Sequence, residues 1–132
     1  AQGWINGPKT GLYDYGPPPG AALPLSRFAF SGRWQIAGQP ATAVSGARID
    51  VQFQAKRVYL VLSSADGRPR PVRVLLDGRP ISAGQAGADV HGGVVTIRRE
   101  RLYTLVSLPH DERHQLGLRF APGVSGFAFT FG

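Results

Sequence analysis

The chain has 132 residues, with thirteen Arg and two Lys against eight acids, a net charge of +7, and no Cys; this length suits a single domain with one core. Without cysteine it has no disulfide framework, thiolate metal site or redox dithiol, and no apolar run approaches the roughly 18 residues of a helical membrane span. The positive excess permits attraction to nucleic acid, anionic glycans or lipids, although the arginines are scattered from Arg27 to Arg119.

Residues 1–24 hold Gly, Pro and aromatics without period, including Trp4, Tyr13, Tyr15 and the run Pro17-Pro18-Pro19. Proline fixes φ and removes backbone donors, so this stretch reads as an arm or linker and 25–132 as the folded domain. From Leu25 the pattern changes: Phe28-Ala29-Phe30 and Arg33-Trp34-Gln35-Ile36 alternate across a Ser31-Gly32 break, as two short strands or one bulged strand. A loop follows with Gly38, Pro40 and Gly46. Residues 47–53 then alternate, with Ala47, Ile49, Val51 and Phe53 sharing one face.

Residues 58–62 are apolar at nearly every position, which predicts a strand covered on both faces or one whose second face meets a ligand or a neighbouring domain. Residues 72–76 form the next strand, ended by Asp77-Gly78, a dipeptide suited to positive φ. Residues 82–93 carry four glycines and read as loop, with Asp89-Val90 as a short pairing within it, and 94–97 as a strand. Residues 102–108 predict a strand ended by Pro109, residues 110–114 a polar turn, and Leu116, Leu118 and Phe120 another alternation. In the last strand Phe127, Phe129 and Phe131 share one face and must be covered from upstream, since burying each ring stabilises by roughly 1.5–3 kcal/mol. Eight or nine short strands with no helical period predict an all-β sandwich.

The ordered segments Arg57-Val58-Tyr59-Leu60-Val61-Leu62, Val74-Leu75-Leu76-Asp77-Gly78-Arg79-Pro80, Asp89-Val90, Arg101-Leu102-Tyr103-Thr104-Leu105-Val106 and Phe127-Ala128-Phe129-Thr130-Phe131-Gly132 resemble the C-terminal domain of DipZ-type proteins. Those combine a CcdA-like membrane part, an extracytoplasmic thioredoxin-like domain and an all-β domain. The resemblance runs from about Leu25 to Gly132. It implies a jelly-roll β-sandwich similar to carbohydrate-binding modules and galactose-binding-like domains, a periplasmic or extracytoplasmic location, and an accessory role in thiol-disulfide or cytochrome c biogenesis chemistry. The dithiol that carries catalysis in such proteins has no counterpart here, so no catalytic residue, metal ligand or cofactor is implied.

Sugar-binding faces need exposed aromatic rings with polar neighbours, which nominates Tyr59, Trp34, Arg57 and Tyr103, with Trp4, Tyr13 and Tyr15 from the arm. Trp34 and Tyr103 sit in apolar alternations that also fit a core role. Tyr59 opposes Val58, Leu60 and Leu62; if that trio is core, Tyr59 and Val61 look toward the other side together with Arg57. The partners this predicts are a carbohydrate or cell-wall glycan, or an adjacent thioredoxin-like domain, whose interface would also favour Arg and Tyr. Nucleic acid ranks below both: Arg57, Tyr59, Arg73, Arg98, Arg99 and Arg101 would have to line one groove. His110 and His114 lack a helix to align them as metal ligands, and the acids Asp77, Asp89, Asp111 and Glu112 form no dense calcium loop.

Overall fold

The runs 47–53 and 58–62, separate in the pattern of the sequence, belong to one strand of 24 residues, Ala41–Ser64, in the computed structural model, which describes residues 11–16, 28–36 and 41–132. Straight, it would reach about 80 Å, against a radius of gyration of about 14 Å for a domain of this length. It therefore bends. Up to Ala55 the odd-numbered apolar residues are buried; from Val58 the even-numbered ones are. A register shift between Ala55 and Arg57 turns the strand over and keeps its apolar side on the core. The Gly132 carbonyl accepts the N–H groups of both Lys56 (2.9 Å) and Arg57 (3.0 Å), so the main chain clamps the bulge.

The described residues form nine strands: β1 (Gly11–Asp14), β2 (Phe28–Ile36), β3 (Ala41–Ser64), β4 (Arg70–Leu76), β5 (Arg79–Pro80), β6 (Val90–His91), β7 (Val94–Ile97), β8 (Arg101–Phe120) and β9 (Val124–Phe131). Hydrogen bonds link them antiparallel in the order β1-β2-β3-β8-β4-β7-β6, with β5 on β4 and β9 on β3. Because β3 and β8 bend together, this continuous sheet folds into a β-sandwich. The first half of β3 lies between β2 and the second half of β8, which continues to β4. The second half of β3 lies between β9 and the first half of β8. The break expected at Pro109 is instead a bulge: Ala55 faces Glu112 and Arg57 faces Ser107, leaving 108–111 without partners on β3. Proline is tolerated there because its missing N–H is not needed by the ladder. The polar turn expected at 110–114 is thus part of β8.

Both layers feed one core. Trp34 meets Phe30 and Phe120 edge-on at centroid distances of 5.3 and 5.0 Å, and Phe53 stacks on Phe131 at 6.2 Å across the bend. Phe129 is fully buried, so part of the expected aromatic face of β9 is in place; the Phe127 side chain lies outside the described residues. Asp77 and Gly78 have φ of 53° and 81°, the positive-φ turn expected between β4 and β5. Within the stretch read as an arm, Gly11–Asp14 pairs with β2 as the edge strand of the sheet, while Trp4, residues 17–24 and the Gly38–Pro40 part of the following loop lie outside the described residues.

The outward face of the first layer is polar. Arg48 grips Asp50 with two bonds of 2.9 Å, and the Asp50 side chain is only 1% exposed. Gly117 stands directly opposite Asp50, and a Cβ there would come within 3.1 Å of both partners. The missing side chain makes room for the ion pair.

Candidate functional site

The other layer presents a different surface. Val58, Leu60 and Leu62 are fully buried, so strand alternation sends Tyr59 and Val61 outward. Tyr59 is opposite Thr104 of β8 and Thr130 of β9, and Val61 is opposite Leu102. Directly opposed residues of an antiparallel pair project on the same side, so Tyr59, Val61, Leu102, Thr104 and Thr130 share one outer face. Tyr59 and Val61 are half-buried and Leu102 is 47% exposed. Arg57, exposed, stands at the bend, and the Gly132 backbone passes beside the Tyr59 ring, close enough that a Cβ would lie 3.5 Å from it. The result is a strip of one aromatic and two aliphatic side chains with two hydroxyls beside it.

Of the four residues nominated from sequence, the structure brings Arg57 and Tyr59 to this surface and withdraws the other two. Trp34 is 0% exposed, and its indole N–H donates to the Ser31 carbonyl at 2.8 Å. Tyr103 is 1% exposed; its hydroxyl accepts the Arg98 N–H (3.1 Å) and donates to the Arg99 carbonyl (2.9 Å). The Arg101 guanidinium lies over the Tyr103 ring, 3.9 Å from its centroid. Neither ring offers a free face for a sugar: each is packed on its apolar side and spends its polar atom on the backbone. Tyr13 and Tyr15 lie near each other at 5.8 Å by β1 and Phe30, with Tyr15 partly exposed. Burial first, and then the neighbouring Tyr13, raises the Tyr15 hydroxyl above its ordinary range.

The outer strip is framed by contacts that no local pattern announces. Asp89 accepts the Thr104 N–H at 2.8 Å and the Arg101 guanidinium at 2.7 Å; the Arg101 bond holds the carboxyl below the ordinary range against the opposing effect of burial. The Gly-rich loop lies along β8, with Gly87 N–H bonded to the Leu105 carbonyl and Ser107 N–H to the Gln85 carbonyl. A Cβ on Gly87 would sit 2.3 Å from the Thr104 oxygen, so only glycine allows this approach. The segment read as loop at 82–93 thereby extends the second layer at 85–87.

His114 is not in a solvated turn. Its ring faces Asp77 on one nitrogen and Glu112 on the other, the latter at 2.8 Å, beside Phe53. Carboxylates only accept, so both bonds exist together only in the imidazolium. Burial lowers the His114 pKa, but Glu112 and Asp77 outweigh it and leave it raised. Among the described residues no three His, Asp or Glu side chains converge as a metal-binding group. Arg73 lies on β4, in the first layer, opposite Arg119, so it does not share a groove with Tyr59.

A sequence profile described as "Thioredoxin like C-terminal domain" matches residues 8–132. The chain belongs to this family. Its β-sandwich is similar in fold to part of a family two carbohydrate esterase from Clostridium thermocellum, solved in complex with cellohexaose: TM-score 0.62, 18% identity, 80% of this chain but 31% of the esterase. A family two carbohydrate esterase from Cellvibrio japonicus gives TM-score 0.58 and 14% identity over 92% of this chain and 32% of that one. The chain thus spans about a third of the length of these enzymes. No curated protein sequence matches it. Among the described residues no helix is long and apolar enough to cross a membrane.

Proposed function

We propose that this accessory domain is a non-catalytic recognition module of a DipZ-like extracytoplasmic thiol-disulfide protein, and that it binds carbohydrate on the outer face of β3, β8 and β9. The observation that carries the reading is the joined strip of Tyr59, Val61 and Leu102, flanked by the hydroxyls of Thr104 and Thr130 and by Arg57. Sugars have apolar C–H faces and hydroxyl rims, and a strip of this mixed character matches both. The Clostridium thermocellum esterase described with cellohexaose supplies a first ligand class to try.

The test is a titration of the domain with cello-oligosaccharides and cell-wall glycan fragments, read by NMR. The Trp34 ring is sealed in the core and would not report on this face. Saturable shifts at Tyr59, Val61 and Leu102 that disappear in Tyr59→Ala, with the fold retained, support the reading. Shifts confined to other surfaces refute it.

A second reading is docking of the adjacent thioredoxin-like domain and its client on the same face. It is favoured by Leu102, 47% exposed, and by the company of Arg and Tyr, both enriched at protein interfaces. Shifts at Leu102 and Tyr59 produced by a thioredoxin-like domain, and by none of the sugars, would select it.

A further inference from the structure

Where the chain passes from β7 of the first layer to β8 of the second, the end of the sandwich carries a basic cleft. The turn between β7 and β8 places Arg98, Arg99 and Arg101 within four residues, and a cleft of about 440 Å³ opens among them with Gly67, Thr96 and Tyr103. Its backbone is fixed: Tyr103 bonds to the main chain of Arg98 and Arg99, and the Ser64 N–H donates to the Arg98 carbonyl at 3.1 Å. Arg101 is committed to Asp89, the Leu102 carbonyl and the Tyr103 ring. Arg98 and Arg99 are not. Both are exposed, and among the described residues their guanidinium groups have no hydrogen-bond or ion-pair partner.

Two free guanidinium forks stand next to a third that already holds its own carboxylate; with the exposed Glu100 in the same turn, three cations against two acids leave one net positive charge there. Such forks match the paired oxygens of a carboxylate or phosphate. Position completes the argument. Leu102 stands opposite Val61 on the outer side, and Arg101 opposite the buried Leu62, so the turn follows directly on one end of the Tyr59 strip with Arg101 and Tyr103 on its inward side, while Arg57 lies at the other end, roughly 17 Å away along an extended strand.

We infer that the Arg98–Arg99 cleft is an oxyanion site, and that the glycan on the Tyr59 face is an acidic polysaccharide whose carboxylate or phosphate group enters it. The polysaccharide part rests on the carbohydrate reading; the oxyanion site stands on its own geometry.

The experiment has two arms, both on the whole domain. In the first, inorganic phosphate is titrated against sodium chloride of equal ionic strength, following the Nε–Hε NMR signals of the arginines. Saturable shifts at Arg98 and Arg99, specific to phosphate, are expected, together with a shift at Arg101, in the same cleft, that is lost after Arg98→Gln with Arg99→Gln. Equal shifts from both salts across all exposed arginines would overturn the site. In the second, oligogalacturonate, its neutral methyl ester and a phosphorylated oligosaccharide are compared. An acidic sugar should bind more tightly than the ester by about tenfold or more, the scale of a charge-assisted pair, and the acid that binds better identifies the group.

The double Gln variant should lose that preference yet keep the weaker binding of the ester, whereas Tyr59→Ala weakens both. A circular dichroism melt of the double variant matching that of the parent protein excludes misfolding as the cause. Phosphate saturating the cleft with no sugar bound would refute the polysaccharide assignment and the carbohydrate reading together, leaving the oxyanion site. Acid and ester binding alike would refute the assignment alone, as would a single-stranded oligonucleotide that outcompetes the acidic sugar.

Discussion

Replacing Arg48 by Met should expose how tightly the polar face of the first layer is sealed. The Asp50 side chain is 1% exposed and its carboxylate takes two bonds of 2.9 Å from the guanidinium of Arg48, a side chain that is itself 18% exposed. Arg48→Met keeps much of the length of the side chain but leaves a carboxylate with almost no water and no cation, at a cost of about 3–5 kcal/mol. Asp50→Asn is milder, since the amide oxygen still accepts one bond and Arg48 can reach solvent: about 1–3 kcal/mol. Arg48→Met with Asp50→Leu removes both charges and should recover more than half of the loss in Arg48→Met, because the stranded charge is gone. Urea unfolding followed by circular dichroism measures all three, with the m-value as a check that the unfolded states remain comparable. If Arg48→Met costs less than about 1 kcal/mol, the value typical of a solvated pair, the argument from burial is wrong.

Trp34→Ala should lower stability by about 3–5 kcal/mol through the cavity it opens between Phe30 and Phe120, whereas Trp34→Phe should leave sugar titrations of the Tyr59 face unchanged. Gly32 has φ of 75°, and a Cβ on it would fall 2.0 Å from the Gly46 oxygen, so Gly32→Ala should cost at least about 2 kcal/mol in the same unfolding assay. The folded pKa of His114 is raised above its ordinary 6.5. Its contribution is therefore complete below about 6.5 and is lost as pH rises through the raised folded value; His114→Gln should flatten stability across that window, measured by unfolding at a series of pH values. Asp89→Ala removes the acceptor of the Thr104 N–H, and faster hydrogen exchange at that amide, ahead of Leu60 in the core, would report loosening of the Gly-rich loop.

Much of the candidate site was legible once the inward face of residues 58–62 was known, because alternation then sends Tyr59 and Val61 outward. The frame was not. Asp89 reaches Arg101 and Thr104 from twelve and fifteen residues away, and Leu102 joins Val61 only because β8 runs beside β3 in that register. An exposed leucine in a run of apolar residues carries no local mark that distinguishes it from its buried neighbours.

The local pattern by itself determined most of the strands from residue 28 onward, the inward residues of 47–53, the β4–β5 turn at Asp77-Gly78 and the mostly apolar character of β9, since alternation and turn chemistry are local; it missed β1 and the strand at 110–114. The tertiary structure decided that 47–53 and 58–62 are one bent strand, that Pro109 sits in a bulge, and that Trp34 and Tyr103 are core while Tyr59 is surface. Those outcomes turn on which strand lies alongside, and on where one added residue reverses the facing of a strand. A sequence that is apolar on both sides of a strand does not say which side will find a neighbour.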